Sequence, residues 1–179
     1  MVAPSFLDSA AVSVIPRKPH SNGVLVWAAA VKLLDLTPYV IRLVPKTEEY
    51  VDWKTEQIVE QLVGPLNLSI KRNFTMDSWF DSKAVRAYLT SQGQCFTLGA
   101  HCGRDKDFWE QAKHGLLPNS WKQFTNSTSG LMASVFSDEG VHCCVSSAYR
   151  PLNRLNQQLN ICPLSEAYKD QFNIVDLFN

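Results

Sequence analysis

Residues Asn73 to Ser82 read NFTMDSWFDS, and the choice of fold turns on this stretch. Ile70, Phe74 and Met76 are spaced as in a strand, which would deliver one acidic side chain, Asp77, at its end. The aromatic pair Trp79–Phe80 follows. Ser82 then offers an N-cap for a helix whose Val85, Tyr88 and Leu89 fall at i, i+3 and i+4, one apolar face. A carboxylate held at a strand end and braced by bulky aromatics is how a metal ligand acquires a fixed position. A turn aspartate that only starts a helix fits the same spacing.

Upstream, Val24 to Leu34 (VLVWAAAVKLL) is an apolar run that predicts a strand buried on both faces, with a short helix as the alternative. Pro38 to Pro45 is a second strand, its antiparallel neighbour across the short turn Asp35-Leu36-Thr37. Thr47 is the expected N-cap of a helix with Glu48 and Glu49 in its first turn. Val51, Ile58, Val59 and Leu62 form its stripe, and Gly64-Pro65 stops it. Downstream come the helix from Ser82 to Gln92 and an apolar strand, Cys95 to Leu98, ending at Gly99. Gly103 to Asn119 is more polar, with a helix around Phe108, Trp109 and Ala112. Three β-like runs follow: Trp121 to Phe124, Leu131 to Phe136 and Val141 to Ser146. Arg150 to Cys162 reads as a loop, and Pro163 and Ser165 introduce a last amphipathic helix with Phe172, Val175 and Phe178.

The 179 residues suffice for one domain, and 45% hydrophobic with 19% charged residues is a globular composition. A net charge of zero argues against stand-alone DNA binding, since proteins that live on nucleic acid usually show a basic excess. No apolar run is long enough for a transmembrane helix, and the N-terminus lacks the basic start of a signal peptide. The five cysteines then read as free thiols in a reducing, intracellular compartment. His101-Cys102 and His142-Cys143-Cys144 hold the right atoms for zinc, but neighbours on a strand point to opposite faces. Buried structural cysteines are the stronger reading. Arg17, Lys18, His20, Lys71 and Arg72 either flank a phosphate backbone or are solvated loop charges.

NFTMDSWFDS and the closing stretch YKDQFNIVDLFN (Tyr168 to Asn179) together resemble the piggyBac transposase family. In that family a strand ends in an acidic residue followed by Asn or Ser, Trp or Phe, Phe or Tyr, and then Thr/Asp-Ser. Asp77 stands in the place of the second catalytic carboxylate. Tyr168 and the Val175-Asp176 pair match the run that carries the third, which makes Asp176 its counterpart. IPRKPHSNG (Ile15 to Gly23) is similar to the family's Ile-Pro-x-Lys-Pro segment. Leu98-Gly99 stands where the family has Gly-Thr-x-Arg. The departures are as specific. The family's first catalytic Asp lies well before Ile-Pro-x-Lys-Pro, where this chain offers only Asp8. Asp8 takes that role if a short stretch before Pro16 is deleted; otherwise it is a surface or capping residue. Asn173-Ile174 replaces Gly-Gly, Asn179 replaces an acid, and His101-Cys102 replaces the Arg-containing part.

The resemblance implies an α/β fold of the ribonuclease-H-like kind: a mixed sheet flanked by helices, with a β-rich insertion at about residues 103–160 before the last helix. Residues 1–179 would form one such core, expected to be truncated at both ends. It implies Mg²⁺ or Mn²⁺ held by Asp77 and Asp176, with Asp8 the remaining catalytic candidate. Two such ions, roughly 4 Å apart, activate the attacking hydroxyl and stabilise the leaving oxygen of a phosphodiester. It also implies DNA (transposon ends) as substrate and partner, a nuclear location and a homodimer, with no membrane partner. Without a clear first carboxylate, strand cleavage and transfer are expected to be weak or absent. A domesticated, non-catalytic DNA- or protein-binding domain is the alternative, and a structural domain without a nucleic-acid role is the third reading.

Overall fold

Strands and helices follow the apolar patterning of the sequence among the residues that the computed structural model describes: 12–14, 22–24, 26–32, 38–45, 53–137, 140–148 and 162–172. Two antiparallel hairpins come first. One pairs β1 (Val12–Val14) with β2 (Asn22–Val24), and the other pairs β3 (Val26–Lys32) with β4 (Pro38–Pro45). Helix α1 (Thr55–Val63) follows, then β5 (Asn73–Met76), a 3₁₀ turn at Ser78–Phe80, α2 (Lys83–Ser91) and β6 (Cys95–Gly99). The chain continues through α3 (Lys106–Lys113), β7 (Trp121–Thr125), β8 (Met132–Ser137), β9 (Val141–Ser146) and α4 (Pro163–Phe172).

Five strands form one mixed sheet in the order β5-β6-β9-β8-β7. β5 and β6 are parallel, so a crossover must join them, and α2 lies on it. The other three pairings are antiparallel. Helices cover both faces. Ile58, Val59, Leu62 and Val63 of α1, Val85 and Leu89 of α2, and Trp109 and Ala112 of α3 pack with Phe96, Leu98, Val135, Cys143 and Val145 of the sheet. On the opposite face Cys162 and Leu164 of the α4 segment meet Met132, Phe136 and Cys144. Cys143 and Cys144 therefore enter different cores, as strand alternation requires. The result is the α/β class expected, a mixed sheet between helices.

Four local expectations need correction. β3 is not buried on both faces: Val26 and Val31 are 41% and 39% exposed, because the core takes only the Trp27–Ala29 face. Ile70 lies outside β5, which begins at Asn73, and its side chain is 57% exposed. α1 is capped at Lys54, not Thr47. Lys54 is extended (φ −75°, ψ 159°), and its N–H donates to Gln57 Oε1 at 2.9 Å. β1 and β2 were not anticipated as strands. The turn at residues 33–37, Thr47 and the Glu48-Glu49 pair, the loop at 150–161, and Val175 and Phe178 lie outside the described residues.

Candidate functional site

Asp77 follows the last residue of β5 and is exposed at the sheet's C-terminal edge. It caps the 3₁₀ turn: Oδ1 accepts from Trp79 N–H at 2.8 Å and from Ser78 Oγ at 3.1 Å. Among the described residues nothing donates to Oδ2. The residue as a whole is exposed, and an exposed carboxylate at a strand end fits the part of a hard-cation ligand.

The alternation of β5 puts Phe74 and Met76 against the α1/α2 core and leaves Thr75 on the opposite side. There Thr75 Oγ1 and Gln171 Oε1 of α4 lie 2.6 Å apart, a bond between residues 96 positions apart in sequence. One turn earlier on α4, Tyr168 reaches the end of β6. Its hydroxyl sits where a Cβ on Gly99 would fall, 2.5 Å away, and Ser78 N would be 3.1 Å from the same point. Glycine at position 99 thus lets the helix and the 3₁₀ turn close on the strand end. Burial pushes the Tyr168 hydroxyl above the ordinary tyrosine range, and the nearby Cys144 and Asp77 add to the effect. A backbone hydrogen bond at Gly99 works against it.

Asp81 behaves in the opposite way to Asp77. It is 1% exposed, and its Oδ1 accepts from both Nε (2.8 Å) and Nη2 of Arg86. Oδ2 accepts from His101 N–H at 2.9 Å. The ion pair braces the start of α2, and the His101 bond ties it to the loop after β6. Ser82 Oγ caps α2 through Val85 N–H at 3.1 Å, as its position predicted. Sequence reading missed this brace; the only local signal was a carboxylate beside the Ser82 cap with an arginine five positions on.

The structure thus brings together three residues that carried the family resemblance from separate motifs: Asp77, Gly99 and Tyr168. Asp8 and Asp176, the other two candidate catalytic positions, lie outside the described residues. No group of three His, Cys, Asp or Glu side chains suited to a metal occurs among the described residues. The five cysteines are free thiols, with Cys143, Cys144 and Cys162 buried. Burial pushes Cys143 up to about 12; the neighbouring Cys102 adds to this and Lys113 opposes it.

No protein-family model and no curated protein sequence matches the chain. Among solved structures the chain is similar to piggyBac transposase, seen by cryo-EM in a synaptic complex with hairpin DNA. The TM-score is 0.75 at 16% identity over 94% of this chain. The match spans 36% of that transposase. The fold is accordingly the ribonuclease-H-like mixed sheet flanked by helices, similar to that of piggyBac transposase over the matched part.

Proposed function

We propose that this chain is the catalytic-core domain of a piggyBac-like DNA transposase, acting on DNA phosphodiesters at transposon ends in the nucleus. The likeness in fold over 94% of the chain carries this reading. The exposed carboxylate of Asp77 at the end of β5, with α4 docked beside it, supports it further. Asp77 would hold divalent metal through Oδ2, with Asp176 as its partner carboxylate. Bound Mg²⁺ or Mn²⁺ would supply activation of the attacking hydroxyl and neutralise charge on the leaving oxygen.

The chain's own residues have defined parts. Trp79 N–H and Ser78 Oγ hold one oxygen of Asp77 and so fix the carboxylate at the strand end. The Asp81–Arg86 pair fixes the loop carrying His101 and Arg104 behind the same strand ends. Asp8 would complete the set of carboxylates; without a third, rates fall by orders of magnitude. The test is Mg²⁺- or Mn²⁺-dependent nicking of a transposon-end duplex by wild type and D77N. We expect weak nicking in the wild type, if any, and none in D77N. Nicking that persists undiminished in D77N overturns the assignment. Salt-sensitive DNA binding that survives D77N, with no nicking by either protein, would select the domesticated, non-catalytic domain instead.

A further inference from the structure

We infer that Trp79 is a stacking platform for one unpaired nucleobase beside the phosphate handled by Asp77; this rests on the transposase-core reading above. Trp79 is 48% exposed, yet its ring is held on two sides. Trp27 of β3 lies nearly parallel to it, with centroids 6.4 Å apart and planes at 14°. Phe80 meets it edge-on at 4.9 Å and 85°. Both supporting rings are themselves anchored on the main core. The backbone N–H of Trp79 donates to Asp77 Oδ1, so the residue that carries the ring is tied at its main chain to the candidate metal ligand.

A large, half-exposed ring that is already ordered loses little conformational freedom when a flat partner settles on it. Lys83 and Arg104 are exposed on the segments that bond to the buried Asp81, beside the acids Asp77, Asp105 and Asp107, and Arg86 neutralises Asp81 itself. Exposed cations on these segments offer partners to phosphates, which suits a nucleic acid better than an apolar peptide. In a duplex each base hides its faces in the stack, so only an unpaired or extruded base can present one to Trp79.

The test compares three probes in metal-free buffer: a blunt duplex, the same duplex with a short single-stranded overhang, and one whose overhang is abasic. Wild type should prefer the base-bearing overhang to the abasic one by roughly five-fold to a hundred-fold. W79A should erase that preference and bind the blunt duplex as wild type does, while W79F keeps most of it. Equal affinity of the wild type for the two overhangs overturns the inference without recourse to any variant. So does a folded W79A that discriminates like wild type, and in either case duplex binding leaves the transposase-core reading standing. A wild-type protein that binds none of the probes at low salt overturns both.

Discussion

Two aspartates four positions apart meet opposite fates. Asp81 can be buried because Arg86 and the His101 N–H satisfy both of its oxygens, whereas Asp77 is exposed and, among the described residues, has hydrogen-bond partners on Oδ1 alone. The stretch NFTMDSWFDS shows a carboxylate at a strand end, and that much was legible. Which aspartate is structural was not, since the decisive partner at His101 lies 20 residues away. Removing Arg86 leaves a buried carboxylate without its cation, so R86A should cost about 3–5 kcal/mol in urea unfolding. A loss below about 1 kcal/mol would contradict this account of the pair. The buried thiols give a pH dependence of definite sign. Cys143 rises from 9.0 to about 12 on folding, so its contribution is complete below pH 9 and is lost as pH climbs toward 12. Cys144, Tyr88 and Tyr168 are raised as well, burial being the leading cause in each, so all four groups act in the same direction. Thermal melting should therefore show stability falling above pH 9, by about 1.4 kcal/mol per pH unit for each of the two buried thiols, with the tyrosines adding in the same direction above pH 10. C143S and C144S should each flatten the slope.

Elements set by local signals came out close to their sequence reading. α2 starts after Ser82 and buries Val85 and Leu89, because cap and stripe lie within a few residues of each other. S82A should lower stability by about 1 kcal/mol in a melt, and an unchanged midpoint would mean that the cap contributes nothing there. β6, α3 and the β7–β9 strands also lie near their expected bounds. Elements that depend on distant partners were less legible. The run VLVWAAAV is apolar throughout, but only its Trp27–Ala29 face meets the core, which alternation cannot reveal when both faces read alike. The pairing of β9 beside β6, and of β8 and β7 beyond it, depends on contacts about 50 residues apart, such as Ser146 Oγ donating to Phe96 O at 2.9 Å. α4 shows why the closing motif matters. It carries Tyr168 and Gln171 to the ends of β6 and β5, an approach visible in the sequence only as a resemblance between separated motifs.

For the whole molecule, composition and fold pull in different directions. A net charge of zero gives no general attraction to DNA, so the proposed binding would have to come from local cations. The fold follows a transposase core at 16% identity, which shows how little of the architecture depends on particular residues beyond the apolar pattern and a few motif positions. Order of motifs carried the architecture where no single motif was specific. The carboxylate partnership was implied by resemblance alone, since Asp77 and Asp176 stand 99 positions apart (176 − 77) and spacing cannot join them. Calorimetric titration of Mg²⁺ and Mn²⁺ into wild type, D77N and D176N addresses that partnership. Binding in the wild type that is lost in both variants, with all three proteins folded, is the expected result. Binding that survives D77N, or a folded wild type that takes up neither ion, would contradict a shared metal site and leave only the fold.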